Sequence, residues 1–238
     1  MNKIKISYKL AIMALIPLLG LLFFASMNIS DIYKVNHKIE VESHEVLVLT
    51  KLLESTNDLV HEIQSERGVV AQFYQSKRYQ NEFTNQQLST DKKISILEDY
   101  RNNIDDNFDK KIKDVIDRGI AQLKSISQIR KDIQNYTISE NAANDYYTKI
   151  NELFISLNDD VASHASDKYL SELSKSYANL AKIIESSSLE LVLLDGVFYR
   201  DQYVGNEFQS LVHLVVKQDL YLNEFFRTAT DEQIDFYR

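Results

Sequence analysis

The residue of this chain best placed to do chemistry is Arg67. It sits in the stretch Leu59-Val-His-Glu-Ile-Gln-Ser-Glu-Arg-Gly-Val-Val-Ala-Gln-Phe-Tyr74. Taken at helical steps of three and four, one face reads Leu49, Leu52, Thr56, Val60, Ile63, Arg67, Val70, Tyr74. A guanidinium on such an apolar stripe is expensive unless an anion neutralises it. Two arrangements meet that need. One is a partner carboxylate, from Glu62, Glu66 or an acid on another helix. The other is an anionic ligand held inside a helix bundle, whose oxygens the fork of guanidinium N–H donors can bind in pairs.

The remaining reactive groups form no catalytic constellation. There is no cysteine, so neither a disulfide nor a thiolate metal site is possible. His37, His44, His61, His164 and His213 are widely separated. His61-Glu62 opens like a zinc-protease motif, but Ser65 stands where the second histidine belongs. Acidic pairs such as Asp105-Asp106 and Asp159-Asp160 read as wet helix surface. With no Gly-rich phosphate loop and no nucleophile elbow, the chain is not expected to be an enzyme or to hold a metal or cofactor.

The elements that must position Arg67 are helices. The chain has 238 residues, five glycines and one proline, Pro17. After Met27 only Gly68, Gly119, Gly196 and Gly205 interrupt a run rich in Leu, Ile, Lys, Glu and Gln, which predicts an all-α fold. The periodicity predicts a long helix from Asn28 to about Tyr79 and a polar connection over Asn81 to Thr90. Ser89-Thr90-Asp91 is read as the cap of a second helix reaching Asn103. Phe108 to Asn135 and Ala142 to Ser163 follow, with Ser139 as an N-cap between them. The next helix starts near Ser166-Asp167, with Tyr169, Leu173, Tyr177, Leu180, Ile184, Leu191, Leu194 and Phe198 along one face. Tyr203-Val-Gly-Asn206 is a turn, Glu207 to Phe226 is helical, and Thr228 to Glu232 opens a last helix that has no finish before Arg238. That unfinished helix is expected to belong to a longer receptor or a truncated product. Phe73-Tyr74 and Phe198-Tyr199 form a faint internal echo.

Leu10 to Met27 holds eighteen residues without a charge, preceded by Lys3, Lys5 and Lys9. As a helix it is about 27 Å long, close to the thickness of a bilayer core. The lysines predict a cytoplasmic segment over 1–9, a membrane helix over 10–27 and an extracytoplasmic domain over 28–238. A cleaved signal peptide, with Ala25-Ser26 as the cleavage site, is the competing reading. Beyond Met27 the chain carries 24 basic and 35 acidic side chains. That excess of acid argues against nucleic acid as a partner and leaves any anion to be held by individual arginines.

The stretch Leu59 to Tyr74, with its Gln64-x-Glu66-Arg67-Gly68 centre, resembles the opening motif of the nitrate- and nitrite-sensing (NIT) domain of bacterial receptors. The likeness continues over roughly residues 45 to 235. Tyr146 to Phe154 is similar to the family's mid-domain helix, and Leu180 to Phe198 to its second-half echo of the first motif. The resemblance implies two stacked four-helix bundles on the periplasmic side of a receptor anchored in the inner membrane. It implies nitrate or nitrite bound through Arg67, a homodimer, and a cytoplasmic output module such as a chemotaxis transducer. It also implies a second arginine in a glutamate-arginine step, where this chain has Glu190-Leu191. Arg200 and Arg227 are candidates to supply that charge from off-motif positions; otherwise each lies on a solvated helix face. The alternatives to this reading are a helical interaction or structural domain without a small ligand, and a sensor of another anion.

Overall fold

The computed structural model describes residues 47–76, 79–105, 108–164 and 168–237. The predicted membrane helix over 10–27 and the first part of the long helix lie outside these residues. No described helix is long and apolar enough to cross a membrane.

Every regular element described is a helix. The first, α1 (47–75), is followed by α2 (Gln80–Asn102), α3 (Lys110–Leu123), α4 (Ile126–Gln134), α5 (Glu140–His164), α6 (Lys168–Arg200), α7 (Glu207–Thr228) and α8 (Asp231–Tyr237). Residues 50–238 form one compact unit, a helical bundle in which α5 packs on α3 and α6, and α7 packs on α6. The stripe on α1 is buried as its spacing predicts: Leu52, Thr56, Val60, Ile63, Arg67 and Val70 are all shielded from solvent. The core of the other layers comes from Ile112, Val115, Ile116, Ile133, Tyr147, Ile150, Phe154 and Leu157.

Local chemistry sets the boundaries. The Asp109 carboxylate accepts from the backbone N–H groups of Lys111 and Ile112 and caps α3. Ser139 Oγ accepts from Ala142 N–H, as expected of an N-cap. Thr230 and Gln233 exchange side-chain-to-backbone bonds at the start of α8, a capping box. Gly205 takes φ +61° in the turn before α7.

Three expectations are corrected. Residues 81–90 are not a connection: α2 runs unbroken through them, and Thr90, read as part of a cap, is buried within it and donates to Gln86 O. Phe108 to Asn135 is not one helix, because the chain turns at Lys124 and Ser125 between α3 and α4. The apolar face read along α6 is in large part turned to solvent. Tyr177, Ile184, Leu191 and Phe198 are 43 to 77% exposed, and the buried side is Ser174, Ala178, Glu185, Ser186 and Val197. The internal echo has no structural counterpart either. Phe73 is buried against Phe83 and Tyr136, whereas Phe198 is the most exposed large apolar residue described.

Two glycines give opposite predictions. A Cβ at Gly119 would lie 2.4 Å from the Phe154 ring, so Gly119→Ala forces the α3–α5 contact apart and is expected to destabilise the fold by about 1–3 kcal/mol. A Cβ at Gly68 meets nothing within 4 Å, and Gly68→Ala within a helix is expected to stabilise by about 0.5–1 kcal/mol. Thermal unfolding followed by circular dichroism reads both signs.

Candidate functional site: a buried charge network on helix α1

Glu66 and Arg67 are neighbours on α1 and both are completely buried. Being consecutive on a helix, they point about 100° apart, and each is neutralised by a different layer of the fold. Glu66 accepts from Arg130 Nε at 2.7 Å and Nη2 at 2.8 Å, and from the Tyr147 hydroxyl at 2.8 Å. Arg130, on α4, also reaches Asp91 on α2 at 2.6 Å. Burial opposes the charge of Arg130, but its bonds and attraction to Glu66 and Asp91 outweigh that and hold its pKa above the ordinary guanidinium value. Burial, and then the Glu66 charge, push the Tyr147 phenol well above its usual pKa, so it stays a donor.

Arg67 faces α5 and α6. Its Nη1 donates to Glu185 Oε1 at 2.6 Å and to Thr148 Oγ1 at 2.8 Å. Its Nη2 donates to Glu185 Oε2 at 3.2 Å and to Ser188 Oγ at 2.9 Å. Gln64 and Asn151 add amide donors to Glu185 Oε2 at 2.8 and 3.2 Å. The guanidinium Nε–H is buried and has no hydrogen-bond partner among the described residues. The site is therefore a desolvated guanidinium and two amides gathered around one planar O–C–O group, with two hydroxyls accepting from the same guanidinium. Beside it, a groove of about 230 Å3 between α1 and α6 is lined by Val60, His61, Gln64, Leu180 and Ile184 among others.

The partner of Arg67 is thus an acid on another helix. Glu62 instead accepts from Gln86 on α2. Of the neighbouring hydroxyls, Ser188 reaches Arg67, Ser187 is exposed, and Thr56 donates to carbonyls of its own helix. Arg200 is not brought to Arg67. It pairs with Glu207 at 2.5 Å and lines a different cleft of about 550 Å3, with Glu140, Asn144 and His213. Arg227 pairs with Glu224 and is exposed. Leu191 is 69% exposed. Sequence reasoning missed Arg130, although Ile126, Arg130 and Ile133 repeat the apolar-stripe signal that exposed Arg67. It also missed Glu185, which lies 118 residues from Arg67 with no local cue.

The family described as nitrate and nitrite sensing (NIT) matches residues 58–238. The chain belongs to that family. Its match begins nine residues before Arg67, about two and a half helical turns, and includes every residue of the network. The NIT fold is also seen in the structure of the NasR transcription antiterminator, which superposes with a TM-score of 0.79 at 17% sequence identity. The alignment covers 88% of this chain and 58% of that one, and at this identity it establishes a shared fold. No curated protein sequence matches the chain.

Two predictions follow from the site of this NIT domain. Arg67→Ala strands the Glu185 carboxylate and is expected to cost about 3–5 kcal/mol of stability. Adding Glu185→Leu should recover part of that loss, measured by denaturant unfolding of both variants. At the other cleft, burial raises the Glu140 pKa, with Arg200 opposing it. The folded state then binds this proton more tightly than the unfolded one, so ionised Glu140 destabilises at neutral pH and the cost fades on acidification. Glu140→Gln is expected to raise Tm at pH 7, and the advantage over the parent should vanish as pH falls through the carboxylate range.

Proposed function

We propose that the chain is the sensor domain of a bacterial membrane receptor. Residues 10–27 anchor it in the inner membrane, the bulk of the chain is extracytoplasmic, and Arg67 binds nitrate or nitrite. One observation carries the reading: the cage around Arg67 is already built for a planar group of oxygens. Guanidinium N–H groups engage two oxygens of one plane while Thr148 and Ser188 bond the same guanidinium. The Nε–H remains available as a further donor. Nitrate offers the same O–X–O edge as the Glu185 carboxylate. Binding then means exchange: the anion takes the place of Glu185 on Arg67, and α6 loses its charged tie to α1. A ligand alters the helix packing only by preferring one arrangement over the other, and this exchange supplies the preference. The change passes through the membrane to a cytoplasmic output module, with a chemotaxis transducer as one such module.

A second reading rests on the same pair. Glu185 satisfies the charge of Arg67, and the family's second arginine position is held by exposed Leu191. On that reading the domain is a structural or protein-interaction bundle with a permanent internal salt bridge.

Calorimetric titration of the full chain in detergent micelles with nitrate and nitrite separates the two, with formate and chloride as controls. The sensor reading expects saturable binding that Arg67→Ala abolishes. It also expects Glu185→Gln, which removes the competing charge, to tighten binding by about tenfold or more, the equivalent of about 1.4 kcal/mol. No heat from either the folded parent or Glu185→Gln would establish the permanent bridge.

A further inference from the structure

The outward face of α6 is the least expected surface on the molecule. Tyr177, Ile184, Leu191 and Phe198 recur at intervals of seven residues, and all four are exposed, by 43, 48, 69 and 77%. Three residues after the first three of them come Leu180, Ser187 and Leu194. The face is therefore an a/d seam three heptads long, the pattern that packs helix against helix. None of these seven positions carries a charge, in a chain whose residues are 26% charged. Nothing in the domain's own core explains the pattern, because α6 buries a different side, the one bearing Ala178, Glu185 and Val197.

Helix α7 extends the same surface. Glu190 accepts from Gln218 across the α6–α7 junction. Going round α7 from Gln218, away from the cleft that holds Gln209 and His213, the next positions are Leu211, Leu222, Val215, Phe208 and Phe226, then Asp219 and Val212. Phe208, Val212 and Val215 are 59, 47 and 42% exposed, and α7 buries only Phe225 fully. At about 200 Å2 for a large side chain, the exposed apolar residues of α6 and α7 together present several hundred Å2. That approaches the roughly 800 Å2 that one partner contributes to a standard interface. Tyr177, Leu180 and Ile184 border the groove against α1, and the exposed remainder is covered by no described element.

We infer that the α6–α7 face is the contact between two copies of this chain. The α6 seam of one copy would lie on the α6 seam of the other, closing a four-helix layer about a twofold axis. A second copy fits because an uncharged heptad face meets its own image without like-charge conflict, and isologous contact requires that self-complementarity. The seven-residue period is itself the register of a helix pair, whereas a membrane surface would select no heptad. The inference uses nothing of the anion site and stands whichever anion that site binds.

The chain lacks cysteine, so single cysteines report contacts without further engineering. The full chain in detergent micelles should have the mass of a dimer by light scattering with the detergent contribution subtracted. Leu191→Glu and Ile184→Glu together should halve that mass while leaving the circular dichroism spectrum unchanged, since both side chains are exposed, and should remove any dependence of Tm on protein concentration. Leu191→Cys should form a disulfide-linked dimer under mild oxidation, and Lys217→Cys, exposed elsewhere on α7, should not. A monomeric parent overturns the inference. So does a dimer that survives both glutamates and cross-links through Lys217→Cys as readily as through Leu191→Cys, as it would if held by another surface.

Discussion

The fold depends on how two opposite charges are kept out of water on one helix. Glu66 and Arg67 are fully buried on α1, and neither can be tolerated there alone. Their neutralisation recruits every neighbouring layer. Glu66 draws in Arg130 from α4 and Tyr147 from α5, and through Arg130 also Asp91 from α2. Arg67 draws in Glu185 from α6 and Thr148 from α5. Such pairs add little net stability over an apolar core of the same shape. What they set is which helix faces which, because a slip of α1 by one residue would set either Arg67 against Arg130 or Glu66 against Glu185 and leave the other position without its charge.

The α1 stripe was legible in the sequence because α1 buries one continuous side, and periodicity reports that directly. Arg67 stood out for the same reason. Its partner did not, since contact between residues 67 and 185 is a product of tertiary folding and leaves no local trace. The polar composition of residues 81–90 suggested a loop, yet these residues continue α2. A helix on the outside of a bundle needs only a few apolar contacts, here Phe83 and Leu97, so its remaining positions are free to be polar.

Helix α6 shows a different limit of periodicity. Periodicity finds an apolar face but cannot say what covers it. The side of α6 that packs against its own chain is built from small and polar residues, Ser174, Ala178, Glu185 and Ser186, which let helices approach closely and satisfy Arg67. The large apolar residues lie on the remaining side. A sequence rule that sends the most apolar face to the core would therefore turn this helix the wrong way round.

The two sides of α6 are not independent. Glu185 and Ile184 are adjacent residues: one is the counter-ion of Arg67, the other belongs to the exposed seam and also lines the groove beside Gln64. A helix that is rigid over its length transmits a rotation from one side to the other. Exchange of Glu185 for a bound anion would free α6 to turn about its axis, and the turn would be felt at the seam between two copies. Coupling of this kind is reciprocal: a pairing that favours one setting of α6 favours the matching state of the Arg67 site. In that arrangement the charge at position 185 and the apolar seam one residue away act as the two ends of a single lever, with α6 as its arm.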